Sequence, residues 1–315
     1  MGVFDAPQWL LSAWSRSCEG VGANASSEEI RAVGSRLIDR WSEPGRHFHN
    51  LKHLVQVLSR VDELAEETHE PDLVRLAAWY HGAIFDAAST APSADRGGED
   101  EVGSAELART ELTALGVPAR AVDRVASLVT ALVRHTAAPG DFDCAVLCDA
   151  DLAMLAAEPQ RYRSYLKDVR AEYAHVPVQD YLRARSAILT KLQNRPTLFT
   201  SPLGAAWEES ARQNVAAELH RIHKELASLH RAQPPQDATA SPAGGAEAAA
   251  GTGAPPGDAP VDAPTPVAPA APADDTSGEA APPAGTAPGV AEPGHAGTGA
   301  TDRRTRRVLP TFGRR

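Results

Sequence analysis

The chain has 315 residues, 43% of them hydrophobic, and a formal net charge of -10, an acidic balance that argues against general nucleic-acid binding, since neutralising phosphates needs basic surface. Three cysteines are too few and too odd in number for a disulfide framework. No apolar run approaches the roughly 18 residues of a membrane span, and the start MGVFDAPQWL lacks the pattern of a secretion signal, so a cytoplasmic protein without a membrane span is expected.

Helical periodicity fills the chain up to about residue 231, and no alternating strand pattern stands out. SSEEIRAVGSRLIDRW opens with a capping box, Ser26 to Glu29, and sets Ile30, Val33, Leu37 and Trp41 on one face. LKHLVQVLSRVDELAEE follows, and then PDLVRLAAWYHGAIF, with Pro71 at the first helical position. VGSAELARTELTALG ends on a cap at Gly116. PARAVDRVASLVTALVRHT, CAVLCDADLAMLAAE, PQRYRSYLKDVRAEYAHV and VQDYLRARSAILTKLQNR come next, and AAWEESARQNVAAELHRIHKELASLHRA closes the series. These segments predict an all-α bundle of roughly nine helices in a domain at 1–231, with its core at about 26–225.

Near Ala232 the composition shifts to Ala, Pro and Gly, as in APPGDAPVDAPTPVAPAAPADD. Such a segment buries too little apolar surface to offset its ordering entropy, so 232–315 is expected to be a disordered tail. Its basic tip, DRRTRRVLPTFGRR, identifies no partner.

Several catalytic signatures are missing. There is no G-x-S-x-G elbow, no G-x-x-x-x-G-K-[ST] phosphate loop, no H-E-x-x-H and no G-x-G-x-x-G. What remains is His and Asp at interior helical positions. RHFHNLKHL offers His47, His49 and His53; His49 and His53 lie about 40° apart on a helix that starts early enough, with His47 nearly opposite. WYHG offers His81, and CDADLAML offers Asp149 and Asp151, which point about 200° apart, so one of the two should reach a common centre. An acid in so apolar a run needs a partner. His135, in LVRHT, is a further metal-ligand candidate, and in GGEDE Glu101 is a candidate catalytic carboxylate. Arg46 and Lys52 stand beside the histidines as candidate phosphate contacts, Arg46 able to bind in bidentate fashion. Arg163, Lys167 and Arg170 form a basic stripe that reads as a solvated face.

The motifs EPGRHFHNLKH, AAWYHGAIFD, EDEVGSAELA, LCDADLAML and VRAEYAHVP together cover roughly residues 26–225. In that order they resemble the HD superfamily of metal-dependent phosphohydrolases, and more closely a bacterial branch that opens E-P-x-R-x-[YF]-H-N-x-x-H. The resemblance implies an all-α fold and a divalent ion (Mn, Mg, Fe or Zn) held by His53, by His81 as the histidine of the H-D pair, and by Asp151. It also implies hydrolysis of a small phosphorylated substrate, an ester or anhydride with nucleotides among the options, by metal-activated water. The chain departs from the pattern at Gly82, which stands where the pair has its Asp. Two histidines and one carboxylate still make a mononuclear site. Three readings therefore stay open: a single-ion hydrolase, a degenerate HD-fold binding or scaffold module, and a mononuclear-iron oxygenase.

Overall fold

The computed structural model describes residues 6–87 and 98–232. Among them are ten α-helices, three short turns of 3-10 helix and no strand beyond one isolated bridge between Phe85 and Glu99. The all-α expectation holds. The disorder expected for the tail falls outside the described residues except at Ala232, the last residue of the final helix.

The helices are α1 (Gln8–Gly20), α2 (Ser27–Trp41), α3 (Leu51–Glu63), α4 (Pro71–Tyr80), α5 (Glu101–Ala114), α6 (Ala119–Ala131), α7 (Phe142–Leu152), α8 (Pro159–Glu172), α9 (Val178–Gln193) and α10 (Glu208–Ala232). The cap signals are realised: Ser26 and Glu29 form the reciprocal box, Pro71 is in the first turn of α4, and Gly116 turns off α5 at φ 70°. The nine segments read from the sequence each contain a helix. The tenth helix, α1, was not among them. Leu10, Trp14 and Cys18, four apart, are fully buried in the same core as α2–α7, so that core begins well before residue 26. The Trp14 Nε1–H donates to the Ile30 carbonyl at 2.7 Å and ties α1 to α2.

Two apolar cores stand side by side. The first is built from α1–α7; the second joins the end of α7 to α8, α9 and α10, and Trp207 packs against both. Helices α4 and α7 lie deep in the first. Leu73, Val74 and every residue from Leu76 to Tyr80 are buried, as is every residue from Asp143 to Ala150. A helix that is apolar nearly all round belongs inside.

Helix α4 stops at Tyr80, earlier than the segment through Phe85 suggests. A helix end leaves carbonyls without intrahelical partners, and here each finds one. Trp41 Nε1–H donates to Trp79 O at 2.9 Å, and the Ala83 amide donates to Tyr80 O at 2.9 Å. The Arg46 guanidinium takes the Gly82 and Ala83 carbonyls at 2.7 and 3.2 Å. No candidate membrane-crossing helix exists among the described residues.

Candidate metal centre

His53 is placed by the start of α3. Asn50 is the N-cap, its side-chain oxygen accepting from the Lys52 and His53 amides. His81 is the C-cap residue of α4, and its Nδ1 lies 2.6 Å from the Ala78 carbonyl. A carbonyl can only accept, so Nδ1 carries the hydrogen and Nε2 presents a lone pair inward. Asp151 comes from the last turn of α7.

These three residues converge. His53 Nε2 is 3.2 Å from His81 Nε2 and 3.2 Å from Asp151 Oδ1, and His81 Nε2 is 3.6 Å from the same oxygen. Among the described residues they are the group whose ligand atoms all lie within 4.8 Å of one another. Two donors bound at about 2.1 Å to one ion sit roughly 3.0–3.5 Å apart at tetrahedral or octahedral angles, so the donor set fits a divalent ion. Burial holds His81 below its ordinary range, which favours the neutral imidazole a metal needs. Burial would raise the Asp151 carboxyl, but hydrogen bonds from His135 and His53 outweigh it and hold the group well below the usual range.

His135 serves this carboxylate from outside the trio. It is the one non-glycine described residue at positive φ, 46°. Arg195 grips the carbonyls of Arg134 and His135 at 2.6 and 3.0 Å, and the ring reaches Asp151 Oδ2 at 2.7 Å. A backbone held in a sparsely populated region needs such surroundings. Asp149 points the other way. Its carboxylate accepts from the Thr200 and Ser201 amides, so of the two acids it is Asp151 that reaches the centre.

His49 does not share a face with His53, because the helix begins only at Leu51. Its ring is held by Glu172 at 2.8 Å and faces Glu99 at 3.6 Å. Burial opposes its charge, but Glu99 and Glu172 prevail and push its pKa up to about 9. His47 takes no part in the trio. Arg46 is buried with its fork on the Gly82 and Ala83 carbonyls, so those donors are committed to the turn and not to a phosphate. Lys52 is exposed and lies outside the cleft that reaches the trio. Glu101 opens α5 near the centre; burial and the neighbouring Glu99 charge raise its carboxyl.

The room beside Gly82 is filled. A Cβ there would lie 2.5 Å from Cη2 of Trp41, whose ring packs 5.0 Å from His81 and 6.2 Å from His53. Trp41 closes the trio on that side. On another side a cleft of about 210 Å³ opens past His53 and Asp151, with Gln56, Arg60, Glu158 and Arg161 among its lining. The spacing of Gln56 and Arg60 from His53 along α3 signalled a shared face; nothing in the sequence signalled Arg161 from α8. The stripe of Arg163, Lys167 and Arg170 lines a separate open groove with Arg221, and Arg170 is tied to the carbonyls of Tyr173 and Val176.

No model of a known protein family matches this chain, and no curated protein matches it significantly.

Proposed function

We propose that this chain is a single-ion, metal-dependent phosphohydrolase of the HD type, cleaving a phosphate ester or anhydride. The observation that carries the proposal is the convergence of His53 Nε2, His81 Nε2 and Asp151 Oδ1 beside an open cleft. A divalent ion (Mn, Mg, Fe or Zn) held there would lower the pKa of a bound water and offset charge on phosphoryl oxygens. The chain's own groups prepare the site: Ala78 O fixes the His81 tautomer, His135 orients Asp151, and Glu101 is a nearby carboxyl that burial and Glu99 push upward. Three buried, unpaired cysteines suit a cytoplasmic enzyme. A second reading, a binding module that kept the fold without the chemistry, draws on Gly82 and on the Trp41 ring in the space beside it.

Elemental mass spectrometry of the full-length chain, purified without chelator or histidine tag, separates the two. Near-stoichiometric metal, lost in both His81→Ala and Asp151→Ala, together with phosphatase turnover in Mn²⁺ or Mg²⁺, is the expected result. A wild-type protein that stays empty after incubation with Mn²⁺, Fe²⁺ and Zn²⁺ would sink the hydrolase.

A further inference from the structure

We infer that the cleft beside the trio is a phosphate-reading subsite in which Arg161 and Arg60 hold a terminal phosphate, so that the substrate is selected by its phosphate and not by a ring beyond it. The inference rests on the reading of the trio as a hydrolytic centre, and it names the substrate class that centre would serve.

The groups at the cleft are arranged in depth. His53 and Asp151 are its most buried polar groups, while Arg161 and Glu158 are exposed. Gln56 and Arg60 follow His53 by three and seven residues on α3, so all three share one helix face. Arg60 is steadied by the Glu63 carboxylate and by stacking on the Trp207 ring at 5.0 Å. Arg161 comes from the first turn of α8 and makes no hydrogen bond or ion pair among the described residues. Two arginines thus line the cleft, with Glu158 as the carboxylate residue outside the trio among the described residues, and a guanidinium turned toward the cleft can grip a phosphate through two parallel N–H donors.

Size and lining restrict what lies beyond the phosphate. At about 210 Å³ the cleft is smaller than the roughly 300–1,000 Å³ pockets that enclose a drug-sized ligand. Among the described residues its one ring is the His53 imidazole, so they offer no aromatic platform for stacking a base. The fitting ligand is a phosphomonoester whose organic part projects into solvent. Nucleotides would enter by their terminal phosphate alone.

The test titrates inorganic phosphate, by calorimetry, into the full-length Mn²⁺-treated chain and its Arg161→Ala, Arg161→Lys and Arg60→Ala/Arg161→Ala variants, with metal content measured on each. Loss of the paired donors should weaken phosphate binding about tenfold or more, with Arg161→Lys intermediate and metal content unchanged. Turnover of glycerol phosphate, adenosine monophosphate and uridine monophosphate should then differ by less than about tenfold in kcat/KM, the reach of a single weak contact. Unchanged phosphate affinity in the double variant, no phosphate binding by the metal-loaded wild type, or strong discrimination between the two bases would each overturn the subsite. Arginine-dependent phosphate binding by a chain that holds no metal would leave the subsite standing and remove the hydrolase.

Discussion

Between α8, α9 and α10, Arg185 meets Glu218 at 2.8 and 3.2 Å and donates to the Tyr165 hydroxyl at 2.8 Å, while the Tyr162 hydroxyl donates to the same carboxylate. Both Glu218 oxygens there accept from donors. Among α3, α4 and α7 the pattern differs: two imidazole nitrogens and a carboxylate oxygen, each able to present a lone pair, face one another within 3.6 Å. Buried charge alone therefore says little about a site, because both regions bury it. Two imidazole nitrogens and a carboxylate oxygen that converge within one ion's reach are a geometry that a divalent cation would fit. The first pattern is a closed ion pair; the second is a group of ligand-type atoms with room for an ion.

Separating the two patterns experimentally starts with Arg185→Met, which strands Glu218 in the second core. Removing one partner of a buried pair should lower the unfolding free energy by about 3–5 kcal/mol in urea titrations, with metal content untouched. Metal loss in that variant would show that the two regions act as one.

The next largest effect concerns pH. His49, between Glu99 and Glu172, titrates at about 9 in the fold against 6.5 ordinarily. Its imidazolium stabilises the fold fully below pH 6.5, and that contribution disappears as pH rises through 9. The displacement is worth about 3 kcal/mol at roughly 1.4 kcal/mol per pH unit. Urea unfolding in chelator should show a decline of that order between those pH values, and His49→Gln should flatten it. An equally steep decline in the variant would remove His49 as the cause.

The smallest effect probes the closed wall. Gly82→Ala places a Cβ against Trp41, a rigid ring with no exposure, and overpacking of this kind costs about 1–3 kcal/mol. Because the two positions touch, Trp41→Phe combined with Gly82→Ala should cost less than the sum of the single changes. Additive costs would mean that Trp41 does not fill that space.

Much of this was legible along the chain. Apolar positions repeating every three to four residues announced nine of the ten helices, and Ser26, Pro71 and Gly116 marked ends that the fold keeps. Helix α1 carried the same signal in Leu10, Trp14 and Cys18, but it lacks a side-chain N-cap, an acidic residue in its first turn and a basic one in its last to mark its ends. The members of the trio were all visible as interior polar residues, with His49, Asp149 and His135 as further ligand candidates and Arg46 as a phosphate contact. What separated them was local geometry that a pattern does not carry. A helix starting at Leu51 instead of earlier turned His49 toward Glu172, and the early end of α4 drew Arg46 onto two carbonyls.

The sequence by itself determined that the described residues are mainly helical and which faces of nine helices are apolar, because helical periodicity and caps act within a few residues of each other. Tertiary structure alone decided which polar groups meet. His53, His81 and Asp151 are 28 and 98 positions apart where they touch, a distance over which only packing, not local propensity, can set a separation of 3.2 Å. Packing likewise put the Trp41 ring in the space beside Gly82 and left the cleft with Arg60 and Arg161 as the way in.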